Sequence, residues 1–106
     1  MLINLSNKKT LELRIKRLNE LEKFVGLIKF KDTGLLFETR FGIHSFFLKE
    51  LIEVIILDEK NIVKKIKFLK PNRIFIWNPL LTKVLELPKG SIQTLNLKLG
   101  DILKIN

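Results

Sequence analysis

The chain has 106 residues, 46% of them hydrophobic and 29% charged, and 20 Lys and Arg against 11 Asp and Glu give it a net charge of +9. That length predicts one domain over residues 1–106, and that balance predicts a folded core and excludes a disordered chain. There is no cysteine, which excludes disulfides, thiolate zinc sites and cysteine nucleophiles.

No targeting segment is visible. Charged residues recur from Lys8 to Lys23, where a signal peptide needs an uninterrupted apolar stretch. No run approaches the roughly 18 apolar residues of a membrane span. The expectation is a soluble cytoplasmic protein with no membrane partner. The basic excess is the expected footprint of a polyanion binder. Yet 16 of the basic residues are Lys, only four are Arg, and Ala is absent altogether. Such a composition also arises from an AT-rich coding bias, so charge alone does not favour nucleic acid.

In chain order, residues 1–5 suggest a short strand, and residues 10–15 alternate polar and apolar in the pattern of a half-buried strand. Asn19 can cap a helix with Glu20 and Glu22 in its first turn, and Leu18, Leu21, Val25 and Ile28 fall on one face of it. Residues 31–34 read as a turn. Strands follow at 35–39 and 44–49, joined through a loop at Gly42. Residues 52–57 are apolar except for Glu53, which suits a strand covered on both faces.

Residues 58–61 form a polar break, and residues 62–69 return as the second arm of a hairpin. Pro71, Asn72, Asn78 and Pro79 punctuate an irregular stretch around Ile74 to Trp77. Residues 82–87 predict a late strand. Ser91 can then cap a helical turn through Leu95, which Asn96 ends in the left-handed conformation. A last strand spans 102–105. The predicted fold class is mostly β (α+β), a barrel-like domain with two short helices.

Several blocks share one order. They are Gly26-Leu27-Ile28, Gly34-Leu35-Leu36-Phe37, Phe46-Phe47-Leu48-Lys49, Val84-Leu85-Glu86-Leu87 and Gly100-Asp101. In this order and spacing, over residues 10–105, the chain resembles the family of conserved proteins called domain of unknown function 192. The resemblance implies a small β-rich fold and no particular reaction. Phe47 stands where that family has Trp, and Leu48 where it has Met. Glu53 stands where it has Asp, the Pro before it is gone, and the segment from Lys49 to Ile52 is shorter. Phe24 and Val25 replace the family's Arg.

Three chemical readings follow from single residues. Lys49 and Glu53 lie in or beside apolar strands, where a charge must be paired or line a cavity. With His44, Phe46, Phe47 and Trp77 they outline a small-molecule pocket, and this non-catalytic binding or accessory role is the leading expectation, with a small molecule or a protein as partner. The second reading is a polyanion or nucleic-acid face made of Lys64, Lys65, Lys67, Lys70 and Arg73, backed by Phe68, Phe75 and Trp77 as stacking groups. Its plain alternative is an edge strand that lysines guard against pairing. The third is an enzyme in which His44 works with Glu53 or Glu38. One histidine without ligand spacing predicts no metal, and isolated glycines predict no phosphate loop or other cofactor site.

Overall fold

The computed structural model describes residues 1–19, 33–40, 42–46 and 48–106. Three sheets carry the fold. β1 (Leu2–Asn4) pairs with β2 (Thr10–Leu11) and with β10 (Leu103–Ile105), so both ends of the chain meet in one small sheet. A five-stranded sheet has the order β3, β4, β9, β6, β7. Its members are β3 (Ile15–Arg17), β4 (Gly34–Glu38), β6 (Ile52–Leu57), β7 (Val63–Leu69) and β9 (Lys83–Pro88). β5 (Ile43–His44) and β8 (Ile74–Phe75) form the third sheet. One short helix is described, α1 (Ser91–Leu95).

The apolar run at 52–57 becomes β6, and all six of its residues are buried, as an interior strand between β9 and β7 requires. The polar break after it closes a hairpin. Asp58 accepts bonds from the Lys60 and Ile62 amides, both at 2.9 Å, and Asn61 takes the left-handed φ of 62°. The bond from Ile62, ahead of the Lys60 amide and the nearby lysines, holds the Asp58 carboxyl below its usual range.

Strand alternation divides the core into two layers on the two faces of the five-stranded sheet. Leu36, Ile55, Leu57, Leu85 and Leu87 line the first face and pack under Ile92, Leu95 and Leu97 around α1, together with Leu2 and Leu103. Leu35, Phe37, Ile52, Val54, Ile56, Leu69 and Val84 line the second and pack under Phe75 and Trp77. The parallel pair β3–β4 lies so close that a Cβ on Gly34 would stand 2.5 Å from the Ile15 Cδ1 atom.

Several expectations change. The described strands form open sheets and close no barrel. Of the two predicted helices, the one beginning at Asn19 lies outside the described residues. The alternating stretch 10–15 splits, because Leu11 pairs with Leu2 while Ile15 pairs with Gly34 in a different sheet. The strand expected at 44–49 ends at His44. Ser45 is fully buried and turns the chain there. Its N–H donates to the Arg73 carbonyl at 2.9 Å, and its Oγ donates to the Lys70 carbonyl at 2.5 Å. Gly90, not Ser91, is the cap of α1, with a φ of 95°, and the Ser91 Oγ donates back to the Pro88 carbonyl at 2.6 Å. Asn96 does end the helix in the left-handed conformation.

Candidate functional site

Glu53 sits on β6 with its side chain on the first face, among Ile55 and Leu57. It is only 3% exposed. Both oxygens are used: Oε2 accepts the Gly90 N–H at 2.7 Å and Oε1 accepts the Ile92 N–H at 2.6 Å. The carboxylate thus satisfies the start of α1, where amides have no partner inside the helix. Of the two outcomes open to a charge in an apolar strand, paired or lining a cavity, the pairing is explicit.

A depression of about 440 Å³ adjoins this junction. Leu51, Phe68 and Leu97 supply apolar lining, and Lys89, Gln93 and Glu53 supply polar lining. Phe68 is 53% exposed, so its ring presents much of its surface to solvent.

The other predicted pocket residues lie elsewhere. Lys49 is exposed on the segment leading into β6 and is not part of the depression's lining. His44 and Phe46 are exposed and stack on each other with centroids 4.7 Å apart. The Phe46 N–H donates to His44 Nδ1 at 3.3 Å, which leaves the ring proton on Nε2 when His44 is neutral. His44 pairs across β8 with Ile74, and Glu53 gives both oxygens to backbone amides, so the His44–Glu53 dyad is not assembled. Glu38, the other proposed partner of His44, lies on β4, whose described neighbours are β3 and β9. Trp77 is buried in the second core layer, where its Nε1–H donates to the Leu81 carbonyl at 2.6 Å. Phe47 lies outside the described residues.

The basic candidates Lys64, Lys65, Lys67, Lys70 and Arg73 are all exposed. Of the aromatics meant to stack beside them, Phe68 is 53% exposed, while Phe75 at 6% and Trp77 at 7% are buried. Lys65 Nζ stands 5.9 Å above the Phe75 ring, and Lys64 reaches Asp58 at 3.8 Å. Among the described residues no group of three His, Asp or Glu could hold a metal ion, and no helix is long and apolar enough to cross a membrane.

One chemically unusual residue escaped the sequence reading. Glu86 lies mid-strand on β9, the central strand, between Leu35 of β4 and Val54 of β6. It is 7% exposed and makes no hydrogen bond or ion pair with the described residues. Burial pushes its carboxyl up to about 7. Across the five strands its row reads Lys16, Leu35, Glu86, Val54, Lys67, which places each lysine two strands away, about 10 Å. The signal was present as a lone acid inside Val84-Leu85-Glu86-Leu87.

No protein-family model matches the chain. A UPF0127 protein of Pyrococcus furiosus is 28% identical over 113 aligned positions, covering 99% of this chain and 97% of the relative. A UPF0127 protein of Pyrococcus abyssi is 39% identical over 69 positions, 63% of this chain and 59% of the relative. The relatives of this chain are UPF0127 proteins, and they are uncharacterised. Two crystal structures share the fold. A proposed transcription regulator from Sinorhizobium meliloti superposes with a TM-score of 0.73 at 19% identity, over 97% of this chain and 88% of that one. A protein of unknown function from Novosphingobium aromaticivorans gives 0.72 at 16% identity, over 98% and 81%.

Proposed function

We propose that the chain is a non-catalytic binding domain, folded as one unit over residues 1–106, that holds a small molecule in the depression beside Glu53. We place it in the domain of unknown function 192 family, on the order of the blocks from Gly34 to Asp101, and in the cytoplasm, on its lack of cysteine. The observation that carries the reading is the depression itself. Its volume of about 440 Å³ falls within the usual range for ligand sites, and it combines apolar wall with a few polar groups. Lys89 is the one cation among the described residues of its lining. Glu53 is already bonded to two amides, so the cation sets the preference toward a small organic anion with an apolar body.

The test is a thermal-shift screen with short carboxylic acids, sugar phosphates and nucleotides. Binding to the folded state raises the melting temperature with ligand concentration. The expected result is a shift that Lys89→Ala and Phe68→Ala each reduce. A shift that survives both changes, or a panel without any shift, would sink the proposal.

A further inference from the structure

β7 is the outer strand of the five-stranded sheet, and no described strand pairs with its far side. Only its first residue is covered there. The Val63 N–H donates to the Asp101 carbonyl and the Val63 carbonyl accepts from the Gly100 N–H, both at 2.8 Å. No turn or loop among the described residues bonds to the backbone of residues 64–69. Six residues at about 3.3 Å each make an open edge roughly 20 Å long.

That edge is strongly basic. Residues 60–85 contain seven Lys and Arg and no Asp or Glu. Lys64, Lys65 and Lys67 project from the strand into solvent. Their existing partners are weak. Lys64 meets Asp58 at 3.8 Å with 46% of the lysine side chain exposed, and Lys65 meets only a ring face at 5.9 Å.

We propose that the β7 edge binds an extended acidic protein segment, which adds to the sheet as a further strand and sets its carboxylates against Lys64, Lys65 and Lys67. Backbone groups at a sheet edge supply affinity in this mode, and side chains supply specificity. The lysines answer the obvious objection. They guard the edge against self-pairing, because a second copy would bring lysine against lysine. The same charges accept an acidic strand, so one feature excludes one partner and selects another. A nucleic acid fits less well, because Phe75 and Trp77 are buried and leave Phe68 as the one exposed ring of the three, and a sugar–phosphate chain cannot continue a β ladder.

The probe is a synthetic peptide of about ten residues, the length of a long strand, alternating Glu and Val with blocked termini. Its control carries N-methyl groups on alternate amides, which removes ladder donors and keeps the charge. Binding is followed by fluorescence, and amide hydrogen exchange of the intact chain maps the site. The expected result is slower exchange at residues 64–69, with binding about tenfold weaker for the methylated peptide and for the Lys65→Glu/Lys67→Glu variant. Unchanged exchange on β9 in that variant establishes that it is folded. Equal binding of the methylated peptide would reduce the effect to bulk charge and overturn the proposal. So would protection confined to other residues, tighter binding of an oligothymidylate at the same edge, or no binding at about 1 mM peptide.

Discussion

Glu53 and Glu86 are the same residue on opposite faces of one sheet, both buried, and their surroundings differ completely. Glu53 faces the layer that α1 covers, and both its oxygens take backbone amides from residues 90 and 92. Glu86 faces the other layer between Leu35 and Val54 and bonds to none of the described residues. Burial is common to both and does not by itself decide how a carboxyl fares in this protein. The decisive quantity is whether donors converge on it, since an unbonded charge in an apolar layer costs several kcal/mol and the group protonates instead. One glutamate builds structure, and the other, with no donor among the described residues, has its carboxyl raised to about 7.

The largest effect is expected from breaking the satisfied member of the pair. Glu53→Ala orphans the Gly90 and Ile92 amides beside the apolar layer and should cost about 4 kcal/mol, read from urea unfolding. Glu53→Gln keeps one acceptor and should cost about half as much. If Glu53→Ala unfolds like the native chain, the bonds to α1 carry no stability.

The next effect comes from pH. The Glu86 carboxyl is raised from 4.5 in the unfolded chain to about 7 in the folded one. Its protonated form is the one the fold favours. Its contribution is present in full below pH 4.5, declines as the pH climbs to about 7, and is gone above that. The loss should approach about 3 kcal/mol, and Glu86→Gln should flatten it. An identical pH profile in that variant would refute the assignment. A smaller change of the same kind is Glu86→Leu, which matches the apolar neighbours Leu35 and Val54. It should stabilise the chain at pH 8 by about 2 kcal/mol and lower its stability at pH 4 by about 1 kcal/mol, measured by chemical denaturation. The smallest effect belongs to the outer wall of the depression. Phe68→Ala should change stability by less than about 0.5 kcal/mol, because the ring is half in solvent, and a larger loss in urea unfolding would make Phe68 a core residue.

Much of the architecture was legible in local patterns. The apolar run at 52–57, the Asp58–Asn61 turn and the return strand are local, since turn chemistry and alternation act within a few residues. Asn96 was legible for the same reason. The extent of the strand at His44 was not, because Ser45 is held by carbonyls at residues 70 and 73. Of the aromatics beside the lysines, Phe68 is exposed, but the burial of Phe75 and Trp77 was not legible, on similar grounds. Phe75 and Trp77 alternate with exposed Ile74 and Ile76, and only packing decides which set points inward.

The candidate site divides along the same line. That Glu53 needed a partner followed from its apolar neighbours in the chain. That the partner would be two amides of α1 depended on β6 lying beside β9, so that residues 90–92 fold over it. Glu86 shows the converse, because a lone acid in an apolar strand is visible in the sequence while its isolation depends on both neighbouring strands. By itself the sequence determined which segments extend, where the tight turns fall and how basic the surface is, because propensity, turn chemistry and charge are properties of short stretches. Only the tertiary structure decided that β9 runs between β4 and β6, that among the described residues one buried glutamate is bonded and the other is not, and that no described strand pairs with the outer edge of β7. Those outcomes turn on pairing between segments far apart in the chain, where the free energy of burial is shared among strands and is written in none of them alone.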